Sequence, residues 1–201
     1  MEFFFDCSSP WTYLAFHKIE SVCREANAEL EWRPILVGGV FNAVNPSVYE
    51  SRAKPVPAKA RYYAKDLRDW TRHYGLKIGQ PPVFPVNSVK AMRGAFFALE
   101  RGVLPEYARA VFETYWGDLE DISQDAVLEK IVARVGLPRD EYFAAIAKPE
   151  YKDRLRANTD ELIARGGFGS PTMFVGGTDM YFGNDRLELV REALVRGAVA
   201  R

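Results

Sequence analysis

The sequence predicts an α/β fold in which one sheet is built from both ends of the chain and helices fill the segment between. Strand-like apolar runs lie near residues 4 and 174, whereas residues 40–165 show helical periodicity. Strands alternate with a period of two or form short apolar runs, and helices repeat every 3.6 residues, which separates the two patterns. Strands at both ends of the chain therefore predict one sheet interrupted by a helical insertion.

The chain begins with a strand, a helix and a second strand. Phe3–Phe5 form a short apolar run that suits a buried strand. Ser9 is a good helix N-cap, and Pro10 fits the first helical position, where its missing N–H costs nothing. Residues 29–36 alternate polar and apolar side chains and predict the second strand, so the unit is a right-handed βαβ crossover. Apolar residues repeat along the helix at Ala15, Ile19, Val22 and Ala26.

A loop and a domain boundary are predicted after the second strand. Gly38 and Gly39 are followed by Asn42, Asn45 and Pro46, a composition typical of turns and loops. The boundary separates the first sheet segment from the helical insertion.

Helical patterns fill the segment that follows. Glycine ends several of these helices, and prolines begin others. Asn87 and Ser123 are predicted caps, and Pro138 and Pro149 are predicted to begin two short helices. The apolar stripes are Tyr63–Tyr74, Met92–Leu99, Leu104–Tyr115 and Val127–Val135.

The last part of the chain predicts a hairpin and a final helix. Thr172–Val175 and Met180–Phe182 are separated by a glycine-rich turn, which is typical of a β-hairpin. Asn184 or Asp185 is then predicted to cap a helix.

Composition and charge exclude several classes of protein. The 201 residues carry 27 basic and 27 acidic side chains, without the basic excess of nucleic-acid or membrane-surface binders. No apolar run approaches the ~20 residues of a membrane span. The chain begins directly with a strand and has no signal peptide, so we expect a cytoplasmic protein. Cys7 and Cys23 are not expected to form a disulfide there, and His17 and His73 lack zinc-ligand spacing, so no metal is predicted.

The turn after the first strand resembles that of a known family. Ser9-Pro10-Trp11-Thr12 lies where the thioredoxin-fold family that includes the disulfide oxidoreductase DsbA has a Cys-Pro-x-Cys redox pair. Both thiols are absent here. The Ser-Pro version is similar to 2-hydroxychromene-2-carboxylate isomerases and kappa-class glutathione transferases, in which the serine activates the thiol of bound glutathione. The resemblance implies a thioredoxin-like domain of residues 1–38 and 166–201 interrupted by an α-helical insertion domain of residues 39–165.

Two later segments extend the resemblance. Ser170-Pro171 matches the cis-proline segment that precedes a strand in thioredoxin-like proteins, and it implies that Ser170 holds the cysteinyl backbone of glutathione. Asn184 and Asp185 match the residues that hold the γ-glutamyl end of glutathione in kappa-class enzymes. With Ser9, these residues form the predicted glutathione site. The alternative for Ser9, Asn184 and Asp185 is plain helix capping.

The second-substrate site is less well defined by the sequence. Asn42 replaces a lysine that the related enzymes often have, and Lys54, Arg52 or Arg61 could supply the lost charge. Asn42, Lys54 and Phe84 are the candidate substrate-binding residues. The family also implies a homodimer.

The resemblance implies a glutathione-dependent isomerase of aromatic degradation that acts by thiolate addition, bond rotation and elimination. One alternative is a kappa-like transferase that conjugates electrophiles. Another is a catalytically silent thiol- or peptide-binding protein. A disulfide oxidoreductase is disfavoured because the turn cannot form a Cys-x-x-Cys pair.

Overall fold

The computed structural model describes residues 1–199 and contains one four-stranded sheet of order β2-β1-β3-β4. β1 is parallel to β2 and antiparallel to β3, and β3 and β4 form the hairpin. Strands from the two ends of the chain therefore share one sheet, as predicted. Residues 200 and 201 of the predicted segment 166–201 lie outside the described residues. The strands are β1 (Glu2–Phe5), β2 (Glu31–Pro34), β3 (Thr172–Val175) and β4 (Asp179–Phe182).

Ten α-helices lie within the described residues. A π-helical turn, Glu113–Gly117, continues the sixth helix, and a 3₁₀ turn, Asn184–Arg186, precedes the last. The helices are α1 (Pro10–Glu25), α2 (Val37–Val44), α3 (Ser47–Ala53), α4 (Pro57–Tyr74), α5 (Val89–Glu100), α6 (Leu104–Phe112), α7 (Asp125–Arg134), α8 (Arg139–Ala147), α9 (Pro149–Ala164) and α10 (Leu187–Val199). None of the helices in this range is both long and apolar enough to cross a membrane.

β1 is covered on both faces. Phe3 and Phe5 belong to the main apolar core, whereas Phe4 packs with Phe174 and Leu162 in a smaller cluster on the other side. All three phenylalanines of β1 are fully buried. A strand buried on both faces reads as a continuous apolar run rather than an alternating one.

The predicted loop at Gly38–Gly39 is wrong, because these residues lie in α2. Val37 and Val40 are buried, and α2 packs against α9. A Cβ on Gly39 would be 3.3 Å from the Thr159 side chain, so glycine permits the close approach of the two helices. Gly39 therefore serves packing rather than a turn.

Other predicted helix ends are also corrected. α5 follows Ser88 rather than Asn87, and α7 follows Gln124 rather than Ser123. The side-chain oxygen of Asn87, one residue before the N-cap, accepts a hydrogen bond from the Val89 N–H at 3.1 Å. α9 is a long helix of 16 residues, not a short one. Neither Asn184 nor Asp185 caps α10, because both lie in the 3₁₀ turn before it.

The sheet and the helical segment share one apolar core. Phe3 and Phe5 of β1 lie in the same cluster as Met92 of α5, Tyr107 of α6 and Tyr142 of α8. The division into domains at residues 38/39 and 165/166 stays a prediction.

A methyl group on Gly94 should disrupt this core. The Tyr107 and Tyr142 hydroxyls bond each other at 2.7 Å and lie directly against Gly94, so a Cβ there would overlap both. We expect Gly94→Ala to lower the free energy of unfolding by about 1–3 kcal/mol, the usual cost of overpacking. Urea denaturation measures this loss. Gly38→Ala is the matched control, because a Cβ there meets nothing within 4 Å. Equal stability of the two variants would contradict the packing argument.

Candidate active site

The turn after β1 and the first residues of α1, together residues Asp6–Thr12, carry the predicted serine, and we call this segment the active turn. Ser9 is half-buried and is the N-cap of α1, as predicted. Its hydroxyl oxygen accepts a hydrogen bond from the Thr12 N–H at 3.2 Å and donates one to the Ser170 carbonyl at 3.2 Å. Capping and contact with the predicted cis-proline segment therefore occur together in one side chain.

Ser170 and Pro171 lie beside this turn, and their peptide bond is cis, as predicted. The Ser170 hydroxyl is held by the Asp6 N–H at 3.1 Å and by the Thr12 hydroxyl at 2.8 Å. Among residues 1–199, the backbone N–H of Ser170 has no hydrogen-bond acceptor, and its carbonyl accepts only the Ser9 hydroxyl. The side chain is thus committed to the protein, and the backbone remains available for an extended ligand.

Thr12 was not among the residues predicted for the site. It is fully buried and stands where the related disulfide oxidoreductases have the second cysteine of the redox pair. Its hydroxyl fixes the Ser170 side chain, so this position has a structural role here. Its place in the Ser9-Pro10-Trp11-Thr12 motif was the only signal in the sequence.

Asp6 is a second residue that the sequence did not reveal. Its carboxylate is fully buried and accepts bonds from Ser8 N–H at 2.9 Å, Val37 N–H at 2.9 Å and the Ser88 hydroxyl at 3.0 Å. Burial raises the pKa of Asp6, and these hydrogen bonds oppose the rise. The carboxylate therefore joins the active turn to the first residue of α2 and to the residue before α5.

The two cysteines are not placed for thiol chemistry, because neither is exposed. Cys7 and Cys23 are free and buried. Burial raises the pKa of the Cys7 thiol well above its ordinary value, and the charge of Asp6 adds to this rise. Burial likewise raises the pKa of Cys23 to about 11. A protonated, buried thiol is a poor nucleophile, so Cys7 acts as a small apolar side chain.

Asn184 and Asp185 lie in the 3₁₀ turn, which packs against α1. Asn184 is only 4% exposed, and its Nδ2 has no hydrogen-bond partner among the described residues. A buried amide without a partner costs about 1–3 kcal/mol, and a ligand acceptor would remove that cost. Asp185 is half-exposed and pairs with Arg186 at 2.6 Å.

Trp116 packs behind the active turn and is only 2% exposed. It lies in the π-helical turn, and its indole N–H donates to the Cys7 carbonyl at 2.9 Å. The Phe84 ring packs against it, with ring centroids 6.0 Å apart. Phe84, a predicted substrate-binding residue, is thereby placed near the active turn. The Phe84–Pro85 peptide bond is also cis, which was not predicted.

The other predicted substrate residues lie farther out. The Asn42 side chain accepts a hydrogen bond from the Tyr49 hydroxyl at 2.8 Å. Lys54 is exposed at the end of α3 and lines an open depression of about 550 Å³ with Glu50, Ser51 and Ala53. Neither side chain forms a hydrogen bond or ion pair with the active turn within residues 1–199. No cluster of three His, Cys, Asp or Glu residues in this range could hold a metal ion.

Replacing the Asp6 carboxylate should destabilise the fold. Asp6→Asn replaces one carboxylate oxygen with an NH₂ group, which is a donor. That group would face the donors from Ser8, Val37 or Ser88, so at least one hydrogen bond is lost. We expect the free energy of unfolding to fall by about 1–3 kcal/mol. Urea denaturation of the two proteins measures this difference.

The pH dependence gives this prediction a matched control. Because the pKa of Asp6 is raised on folding, its stability advantage over the variant should be largest at low pH and shrink as pH rises through that pKa. Asp121 is opposite: although burial acts against it, hydrogen bonds from Ser123 and Gln124 lower its pKa. The advantage over Asp121→Asn should therefore be lost as pH falls. Parallel pH trends for the two variants would refute the role given to Asp6.

Known proteins resemble this chain over nearly its whole length. The DSBA-like thioredoxin domain family matches residues 1–195. The 2-hydroxychromene-2-carboxylate isomerase of Pseudomonas putida is 29% identical over 202 residues, covering 98% of this chain and 94% of the relative. Glutathione S-transferase kappa 1 of Homo sapiens is 28% identical, covering 96% of this chain and 90% of the relative. Both of these relatives are named as enzymes.

The fold agrees with these sequence matches. A solved structure of 2-hydroxychromene-2-carboxylate isomerase superposes with a TM-score of 0.82 at 24% identity, covering 98% of this chain and 95% of that one. At this identity the likeness shows the fold alone. It confirms the predicted fold class, a thioredoxin-like sheet interrupted by helices. The chain therefore belongs to the DsbA-like thioredoxin family.

Proposed function

We propose that this protein is a glutathione-dependent isomerase similar to 2-hydroxychromene-2-carboxylate isomerase. The observation that carries the proposal is the Ser9 hydroxyl, which caps α1 and lies 3.2 Å from the carbonyl of the residue before cis-Pro171. A helix start concentrates unpaired N–H groups and a partial positive charge, which favour an anion such as a thiolate.

The polar groups around the active turn fit an extended glutathione molecule. The backbone N–H and carbonyl of Ser170 can pair with the cysteinyl residue in the manner of an added β-strand. The unpartnered Nδ2 of Asn184 can donate to the γ-glutamyl carboxylate, and Asp185 has the charge that suits its ammonium group. Three of the chain's features therefore accommodate three parts of one tripeptide.

When bound, glutathione would supply a thiolate that adds to a conjugated double bond, leaves a single bond free to rotate, and is expelled with return of the electron pair. Ser9 has one hydroxyl proton, which it now donates to the Ser170 carbonyl. A ligand N–H on that carbonyl would let Ser9 donate to the sulfur instead. A hydrogen bond to the charged form lowers a thiol pKa, so Ser9 would increase the thiolate fraction.

The second candidate is a kappa-like glutathione transferase, which the match to the human kappa-class enzyme favours. It would use the same thiol site but would consume glutathione. Incubation with glutathione and either a chromene carboxylate or a chlorinated aromatic separates the two activities. Isomerisation without loss of glutathione supports the proposal, conjugation supports the transferase, and binding without turnover indicates a silent binding protein.

We extend the proposal to the location, oligomeric state and metabolic role of the enzyme. A cytoplasmic homodimer that acts in aromatic catabolism fits the relatives, and each of these properties stays a prediction. Sedimentation of the purified protein measures the oligomeric state.

Removing the Ser9 hydroxyl should weaken the bound thiolate. A hydrogen bond to a charged group contributes about 1.5–3 kcal/mol, so Ser9→Ala should raise the pKa of bound glutathione by about 1 to 2. Thiolate absorbance, titrated against pH with saturating glutathione, measures the change.

Ser21→Ala is the matched control for this titration. Ser21 lies farther along α1, and its hydroxyl donates to the Lys18 carbonyl at 2.7 Å, away from the active turn. Its titration curve should match the wild type. If Ser9→Ala also matched, Ser9 would be only a helix cap.

The charge of Asp185 should select the ammonium end of glutathione. Asp185→Asn keeps a similar shape but removes the charge, and an exposed ion pair contributes up to about 1 kcal/mol. We expect glutathione affinity to fall roughly two- to fivefold, measured by calorimetry. Affinity for deamino-glutathione, which lacks the ammonium group, should be unaffected by the substitution. An equal loss for both ligands would assign Asp185 to the stability of the turn.

A further inference from the structure

Arg52 of α3 lies between two aromatic rings. Its guanidinium carbon is 5.6 Å from the centre of the Phe41 ring on α2 and 5.1 Å from the centre of the Phe84 ring. A guanidinium in such contact with aromatic faces is held in place by cation–π attraction. The side chain is therefore positioned although α3 has no buried residue.

Both rings lead back to the active turn. Phe84 packs on Trp116, whose indole N–H bonds the Cys7 carbonyl at 2.9 Å. Phe41 lies next to Gly169, where an added Cβ would be 3.7 Å from the ring, and Ser170 follows directly. Arg52 thus contacts two rings, and each ring packs against a residue that neighbours the active turn or Ser170.

The positive charge of Arg52 is not matched by a protein carboxylate. Within residues 1–199, no carboxylate oxygen lies within 4.0 Å of its side-chain nitrogens. Its field nevertheless reaches the interior: burial, Asp121 and Asp6 raise the pKa of Tyr115, and Arg52 opposes that rise. Lys54 and Arg61, the other cations considered above, lie over no aromatic ring in the same range.

These contacts place an exposed cation against two aromatic rings near the active turn. The planar guanidinium fork matches a carboxylate in two parallel hydrogen bonds. The Phe84 ring is 39% exposed and favours a flat, conjugated body over a bulky aliphatic one, whereas Trp116 is only 2% exposed and supports that ring from behind. Of the three cations, Arg52 alone combines charge, aromatic contacts and proximity to the active turn.

We propose that Arg52 binds the carboxylate of the second substrate, which is a planar, conjugated carboxylic acid that packs against the exposed Phe84 ring. The proposal rests on the proposed function, because it places this acid beside the thiol of glutathione. It identifies the residue that determines specificity for an acid over a neutral analogue.

Fluorescence titration with two matched probes tests the proposal. Coumarin-3-carboxylate is planar and anionic, and coumarin-3-carboxamide has nearly the same shape without the charge. The wild-type protein should bind the carboxylate more tightly. Arg52→Gln should weaken carboxylate binding roughly 10- to 100-fold and leave carboxamide binding unchanged.

Two further variants control for charge and folding. Arg52→Lys keeps the charge without the fork and should recover part of the affinity. Arg61→Gln removes an exposed positive charge on α4 and should bind both probes as the wild type does. A similar loss in Arg61→Gln would show only a general effect of net charge and overturn the proposal.

The titrations are run with and without glutathione, and glutathione affinity is measured separately. If Arg52→Gln weakens glutathione but not the carboxylate probe, the guanidinium serves the glycyl carboxylate of glutathione and the proposal is wrong. Equal binding of the carboxylate by wild type and Arg52→Gln also overturns it. If the wild type fails to bind glutathione, the proposed function fails, and the probe titrations without glutathione still decide the role of Arg52.

Discussion

The buried carboxylate of Asp6 is the interaction on which the site depends. Removing a carboxylate from water is costly, and the fold offsets that cost with donors from Ser8, Val37 and Ser88. These donors belong to the active turn, to α2 and to the residue before α5. The backbone N–H of Asp6 also bonds Ser170. One residue therefore sets the positions of the serine, the cis-proline segment and the helices that border them.

The features that the sequence predicted well depend on local chemistry. Ser9 and Pro10 cap and begin α1 because these residue types satisfy the first turn of a helix. The glycine-rich turn before Asp179 gives the hairpin. Phe3–Phe5 form a buried strand because three large apolar residues in succession need cover on both faces. Each of these signals lies within a few residues of the element that it specifies.

The features that the sequence did not predict depend on distant partners. Asp6 meets Ser88, Trp116 meets Cys7, and Arg52 meets Phe84, and no local pattern connects such pairs. Gly39 of α2 was misread for the same reason, because its role is set by Thr159, 120 positions later in the chain. The sequence therefore predicts only part of the candidate site: its serine and cis-proline belong to recognisable motifs, and its supporting residues do not.

The shared core has a consequence for how this protein can change. Phe5, Met92 and Tyr107 pack in one cluster, so an altered side chain on the sheet must be accommodated by the helices beyond it. By contrast, α3 and α4 contain no buried side chain. Point replacements on this outer rim therefore carry little risk to folding. Exchange of the whole helical segment with a relative would instead pair a sheet and a set of helices whose shared core side chains had not diverged together.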